Sequence, residues 1–192
     1  MSAITGMMLS DGHIALRSIT SNARFIFAQS AKSDKREYFN LVLNLMKPFC
    51  TVGFIPYIKE WYDVRNSKLY SSISLTTMQL PCFTNLRALW YVNGIKIVPS
   101  NIKELITPVA LAHWIMGDGS KQNEGLHLSV YAFSATDISL LIDALSNRYN
   151  LNCTIHQTER GSRIYVDKSS TILLRSIVLE HFVPSMRYKL GL

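Results

Sequence analysis

The sequence predicts an α+β fold made of two similar halves, each running helix, two strands, helix, two strands, helix. Three observations carry that prediction. A short apolar segment ending in Asp-Gly occurs twice, as Ile4-Thr5-Gly6-Met7-Met8-Leu9-Ser10-Asp11-Gly12 and as Leu111-Ala112-His113-Trp114-Ile115-Met116-Gly117-Asp118-Gly119. Behind each copy come segments that alternate apolar and polar residues, the period of half-buried strands. Apolar residues make up 48% of the 192 and charged residues 17%. That suffices for a large core in one domain or in two fused subdomains of about 100 residues each.

In the first half, residues 2–10 read as a helix. Residues 13–18 alternate His13, Ala15 and Arg17 against Ile14 and Leu16, Ser21-Asn22 is a turn, and residues 23–29 form a second strand with Phe25 and Phe27 on one face. Asp34 is placed to cap a helix over residues 35–46, with Tyr38, Leu41, Val42 and Leu45 on one stripe and Pro48 ending it. Residues 57–65 and 68–76 read as strands joined at Asn66-Ser67. A helix over residues 86–92 is stopped by Asn93-Gly94.

The second half repeats the order. Thr107-Pro108 opens a helix running to Gly117, with proline in the first turn where its missing N–H costs nothing. Residues 126–131 form a strand, Thr136-Asp137 caps a helix through Ile138, Leu141, Ile142 and Leu145, and residues 154–160 and 163–167 flank Gly161-Ser162 as a hairpin. Ser169-Ser170 opens a last helix that Pro184 ends. The halves are therefore residues 1–94 and 107–192, with 95–106 a linker whose loop residues are Pro99 and Asn101.

The net charge of +7 and pI near 9.4 favour a polyanionic partner, nucleic acid before an acidic membrane surface. Cys50, Cys82 and Cys153 are too scattered for a disulfide framework or a zinc site and point to a reducing compartment. No apolar run approaches the ~18 residues of a membrane span, so no membrane partner is expected. The N-terminus has the form of neither a secretory signal nor an organellar presequence, since Ser10, Asp11 and His13 interrupt its apolar stretch. A protein working in an organelle would then be made there, or be trimmed from a longer reading frame, as a motif starting almost at Met1 also suggests.

Each Asp-Gly segment alone reads as an ordinary helix stop. As a pair they suggest an internal duplication, and packing about a pseudo-two-fold brings two carboxylates together, as divalent-metal phosphodiester chemistry requires. The strands add a second signal. One face is aliphatic; the other carries His, Arg, Lys, Tyr, Ser and Thr, with Arg17, Arg24, Lys59, Arg65, Lys68, Arg160 and Arg163 in strands or turns. Such a face is either water-facing or suited to a β-ribbon that reads base edges and positions phosphates.

With these motifs the chain resembles the LAGLIDADG homing endonucleases, in particular the single-chain, two-motif type of organellar introns. The second Asp-Gly segment, with Leu105-Ile106-Thr107-Pro108 before it and Ser120 after it, carries the likeness best. The segment from Trp90 to Pro99 and the terminal Pro184-Ser185-Met186-Arg187-Tyr188-Lys189-Leu190 extend it. The resemblance implies two αββαββα subdomains, motif helices packed at a central interface, and two antiparallel sheets forming a DNA-binding saddle. It implies that Asp11 and Asp118, with the main-chain carbonyls of Ser10 and Gly117, hold Mg²⁺. Mn²⁺ is expected to substitute, and Ca²⁺ to bind without supporting cleavage. Lys96 and Lys189 match the family's basic residues near the active sites, the alternative for each being a plain phosphate contact. Gln29 is a candidate for positioning water, with Ser134 near the matching place in the second half. DNA contacts are expected from His13, Arg17, Arg24, Lys59, Arg65, Lys68, Tyr70 and Ser72 in the first half, and from His127, Ser129, Tyr131, His156, Arg160, Arg163 and Tyr165 in the second. His113 reads as an interface histidine and Trp114 as core. The implied activity is a metal-dependent double-strand break with short 3′ overhangs in a long asymmetric DNA site, by a monomer made inside the mitochondrion or, alternatively, the chloroplast. The alternatives within the family are an intron-RNA maturase and a catalytically inactive DNA binder.

Overall fold

The computed structural model describes residues 1–192, which form two compact units. One comprises residues 11–87; the other joins residues 1–10 to residues 88–192.

In residues 11–87 a four-stranded antiparallel sheet is built from β1 (Gly12–Ala15), β2 (Arg24–Ser30), β3 (Tyr57–Asp63) and β4 (Lys68–Thr76), in the order β1-β2-β4-β3. Helix α2 (Ser33–Met46) covers one face. The alternation that predicted these strands sorts them as expected: Ile14, Phe25, Phe27, Ile73 and Leu75 are buried with Tyr38, Phe39 and Val42 of α2. The rings of Phe27 and Tyr38 meet edge-on at 5.9 Å, a favoured aromatic geometry. Three expectations shift here. Strand β1 ends at Ala15, before Leu16 and Arg17. The cap of α2 is Lys32, with no side-chain capping bond, so Asp34 lies inside the first turn. There it still complements the helix dipole. Leu45, expected on the buried stripe, is exposed, while Phe39 is buried.

Helix α3 (Pro81–Trp90) leads into residues 88–192; it begins five residues earlier and stops two residues earlier than expected. Asn93-Gly94 does not end a helix. Both residues have positive φ, 50° and 79°, and they turn a small hairpin of β5 (Tyr91–Val92) and β6 (Ile95–Lys96), as Asn-Gly does in two-residue loops. Residues 95–106 are likewise more than a loop: β6 and a short helix, α4 (Ile102–Leu105), occupy them. They are tied down by Asp137, whose carboxylate accepts from the Val98 N–H at 2.9 Å, and by Tyr149, whose hydroxyl donates to the Ile106 carbonyl at 2.7 Å.

Helix α5 (Pro108–Asp118) starts as predicted, with the Thr107 hydroxyl accepting from the Ala110 N–H. It is followed by β7 (Gly119–Gln122), which the sequence reading missed, β8 (Gly125–Ser129), α6 (Ala135–Tyr149), β9 (Cys153–Thr158), β10 (Gly161–Val166) and α7 (Lys168–Val178). The sheet order, β7-β8-β10-β9, repeats that of the first sheet. The cap of α6 is Ser134, not Thr136, in a capping box with Asp137; Ser134 is thus occupied as a cap. The β9–β10 turn falls at Glu159-Arg160 rather than Gly161-Ser162, which pairs within the ladder. Asp167 caps α7 through bonds from the Ser169 and Ser170 N–H groups. Pro184 does not end α7; it begins a 3₁₀ segment, Pro184–Leu190.

Helix α1 (Ser2–Leu9) opens the first repeat but packs on α5, and so groups with residues 88–192. The contact is close because Gly6 has no side chain. A Cβ there would lie 2.1 Å from the Ala110 carbonyl oxygen and 2.6 Å from the His113 Cβ. His113 and Trp114 are both buried at 3% and 0% exposure, as interface and core residues.

Candidate metal and nucleic-acid site

The ends of α1 and α5 come to a shared cleft of about 240 Å³, lined by Leu9, Ser10, Lys96, Asp118, Ser129, Val130, Tyr131, Ala132 and Phe133. Ser10 is the C-cap of α1, its hydroxyl donating back to the Gly6 carbonyl at 3.1 Å. Asp11 follows it in the chain and opens the other compact unit. Asp118 is the last residue of α5 and is half-buried. Lys96 reaches the cleft from the β5–β6 hairpin, with its ammonium 5.8 Å from the centre of the Phe133 ring. Three predicted residues, Ser10, Lys96 and Asp118, are therefore brought together.

Lys189 plays a part that spacing could not show. It is buried, and its ammonium donates to the carbonyls of Ile115, Met116 and Gly117 at 3.3, 2.6 and 2.6 Å. These are orphan acceptors at the C-terminus of α5, and a cation there also opposes the negative end of the helix dipole. The ammonium has three donors, and all three serve the turn that carries Asp118. Gln29 is placed differently from the expectation. It pairs with Ile73 on the helix-covered side of the first sheet and donates from Nε2 to the Lys35 carbonyl at 2.6 Å.

The donor chemistry at the end of α5 fits a hard cation. It offers the Asp118 carboxylate and main-chain carbonyls, of which those of Ile115, Met116 and Gly117 already accept from the Lys189 ammonium, and a carbonyl oxygen has two lone pairs. No group of three or more His, Cys, Asp or Glu side chains gathers anywhere in the chain. The carboxylate and carbonyls at the end of α5 suit an ion that keeps waters and takes one or two carboxylates plus substrate phosphates.

The candidate contact residues sort by sheet. Paired residues of an antiparallel ladder share a face. On the first sheet, the registers put His13, Arg24, Lys59, Lys68, Tyr70 and Ser72 on the face opposite Phe27 and Leu75. Arg17 and Arg65 are exposed in the flanking turns. Trp61, which the sequence reading did not single out, lies on the same face opposite Tyr70. The alternation of β3 already put it in step with Tyr57 and Lys59.

On the second sheet, His127, Ser129, Arg163, Tyr165 and His156 share the open face, with Tyr131 just beyond β8 and Arg160 at the hairpin tip. Here the side chains interlock. His127 Nε2 and His156 Nδ1 are 3.0 Å apart, and the His156 and Tyr165 rings stack at 4.6 Å. His127 is buried beneath them, its Nδ1 without a hydrogen-bond partner. Burial, then the nearby His156 and Arg163, hold its pKa below the usual histidine range. Arg163 donates from Nε to the Tyr131 hydroxyl and lies 5.5 Å from that ring's centre.

A two-repeat α+β fold with duplicated helices ending in Asp-Gly defines a class, and comparison with known proteins agrees. Residues 1–174 match the family model of the LAGLIDADG DNA endonuclease family, and the chain belongs to that family. It is 33% identical over 202 residues to the cytochrome b mRNA maturase bI2 of Saccharomyces cerevisiae, covering all of this chain and 47% of that protein. It is 31% identical over 163 residues to the intron-encoded endonuclease ai4 of Dictyostelium discoideum, covering 81% of this chain and 98% of the relative. Its fold is similar to that of the homing endonuclease I-WcaI bound to its DNA recognition sequence, with a TM-score of 0.88 at 22% identity, covering 98% and 84% of the two chains. A lesser likeness, TM-score 0.56, is to I-DmoI in complex with DNA and Mn. The chain thus spans about half the length of the yeast maturase, and its relatives bear both endonuclease and maturase names.

Proposed function

We propose that this protein is a site-specific homing endonuclease that makes a metal-dependent double-strand break with short 3′ overhangs in a long asymmetric DNA site. The observation that carries the reading is the cleft at the helix ends, where Asp118 meets Ser10 and Lys96. Asp11 and Asp118, with the Ser10 and Gly117 carbonyls, are the residues that would hold Mg²⁺ or Mn²⁺. Bound there, the metal supplies an activated water and stabilisation of the leaving 3′ oxygen. Lys96, at the same cleft, offers a positive charge to the phosphate as its own negative charge grows. Lys189 acts through α5, by fixing the turn that bears Asp118. The open faces of the two sheets supply the DNA contacts, and their different residues imply a target without two-fold symmetry. A monomer working in the organelle that encodes it, the mitochondrion before the chloroplast, accords with relatives named for the cytochrome b message.

The test is cleavage of the intronless host-gene sequence in Mg²⁺ by wild type and Asp118→Asn. Cleavage of both strands by wild type, with binding but no cleavage by the variant, upholds the reading. Binding without cleavage by wild type in Mg²⁺ or Mn²⁺ overturns it in favour of a catalytically inactive DNA binder or an intron-RNA maturase, which an intron-splicing assay separates. That second reading is favoured by one observation, 33% identity along the whole chain to a protein named as an mRNA maturase. The two activities can reside in one chain, since RNA binding does not need the carboxylates.

A further inference from the structure

The β3–β4 hairpin extends past the cover of its helix. Strand β3 is exposed on both faces along nearly all its length, unlike the inner strands of its sheet. On the open face, Trp61 and Tyr70 are cross-strand partners whose rings stack at 5.7 Å with 19° between planes. They remain 44% and 37% exposed, whereas the other two tryptophans, Trp90 and Trp114, are fully buried. The pair is set in place: Asn66 at the turn donates from Nδ2 to the Tyr70 hydroxyl at 2.8 Å. Around it on the same face stand Lys59 and Lys68, both exposed, with Arg65 in the turn. The one acid on this face, Asp63, is occupied by the main-chain N–H and Nε of Arg65 at 3.0 and 3.4 Å.

We propose that the Trp61–Tyr70 stack is a docking site for an unpaired nucleobase, and that its partner is a single-stranded loop of RNA. This rests on the reading that the open face of the first sheet binds nucleic acid, and it deepens the maturase alternative. The reasoning is chemical. In a duplex the faces of the bases are covered by their neighbours, and a groove presents only edges. An aromatic plane has little to recognise there, and an indole has a single donor. An unpaired base has a free face, and aromatic platforms on sheets flanked by lysine and arginine bind such bases with little sequence preference. The cations at Lys59, Lys68 and Arg65 match the phosphates on either side of a stacked base.

The buried state of Trp90 and Trp114 gives a direct readout, because Trp61 alone is open to stacking. The full chain is titrated with three probes: a short mixed-sequence RNA single strand, the same sequence as a DNA single strand, and a DNA duplex. Emission is followed at low and raised salt. Saturable quenching by the RNA strand is expected, persisting as salt weakens the phosphate contacts, with no comparable quenching by the duplex. Trp61→Leu is expected to weaken RNA binding about tenfold, Trp61→Phe to restore most of it, and the loss in duplex binding to be several-fold smaller than the loss in RNA binding. Thermal unfolding of each variant checks that the hairpin remains folded. Equal loss of RNA and duplex binding in Trp61→Leu, or RNA binding without quenching, overturns the stacking site. Equal quenching by the DNA single strand overturns the assignment to RNA. Duplex binding and cleavage without quenching by the RNA strand refute this inference alone, whereas failure to bind any of the three probes refutes the nucleic-acid reading beneath it.

Discussion

Replacing Gly6 with alanine should destabilise the protein although alanine is the better helix former. On propensity alone the change would stabilise α1 by about 1 kcal/mol. The structure opposes this, because the new methyl would lie 2.1 Å from the Ala110 carbonyl oxygen and 2.9 Å from the Trp114 nitrogen. Both are backbone atoms of α5, so no rotamer relieves the clash, and truncating His113, whose Cβ would lie at 2.6 Å, would leave the worst contact in place. The helices must separate by more than an ångström, thinning the packing around Met7, Met8, Leu111 and Trp114, all buried. Overpacking of this kind costs about 3 kcal/mol, which leaves a net loss of about 2 kcal/mol and a Tm lower by roughly 4–8 °C for a chain of this size. A calorimetric or circular-dichroism melt measures it. A Tm raised by about 2–4 °C, the propensity gain alone, would refute the close approach of α1 to α5.

Three further outcomes are expected. Lys189→Met keeps the buried stem but leaves the carbonyls of Ile115, Met116 and Gly117 without their cation, so stability should fall by about 3 kcal/mol in urea unfolding; a loss under about 1 kcal/mol would show that water replaces the ammonium readily. Burial, aided by the nearby His181, lowers the His113 pKa to about 4 from 6.5. The folded state therefore resists a proton that the unfolded chain accepts, so stability is full above pH 6.5 and declines by about 3 kcal/mol as pH falls towards 4; if His113→Gln leaves that acid slope unchanged in denaturant titrations from pH 7 to pH 4, the slope arises elsewhere. On the second sheet, Tyr131→Phe and Arg163→Ala should be non-additive by about 1 kcal/mol in duplex affinity, while Arg24→Ala and Lys59→Ala on the first sheet should add within about 0.5 kcal/mol. Equal coupling on both sheets would count against the interlocking.

Much of this was legible in the sequence, for reasons that particular residues make plain. Strand faces followed from a period of two, which depends only on backbone geometry; Phe25, Phe27, Leu126 and Leu128 are buried where the alternation put them. The α5 start was readable because Thr107-Pro108 is a local signal with a local cause. Asn93-Gly94 was misread because the same left-handed residues end helices and turn hairpins, and only pairing across Tyr91–Lys96 separates the two. Strand β7 was missed because Gly-Ser-Lys-Gln has no apolar alternation and is held by its neighbour β8. Gln29 went astray by one step of parity: it falls in phase with Phe25 and Phe27, and so on the covered face. Lys189 was singled out, but its bonds to α5 span more than seventy residues and no local rule reports them.

What sequence reasoning did not reach is how the expected contact residues engage one another. The first sheet presents Arg24, Lys59 and Lys68 to solvent with few mutual ties. The second locks His127, His156 and Tyr165 into one cluster and Arg163 onto Tyr131. Flexible cations gain most from phosphates, whose positions vary little with sequence. A fixed cluster forfeits less side-chain entropy on binding and so can favour one arrangement of donors over another. On the proposed nucleic-acid reading, the two sheets are unlike surfaces, the first suited to electrostatic attachment and the second to selection. On that division, changes on the first sheet alter affinity and its salt dependence across all sequences, and changes on the second alter which sequence is preferred.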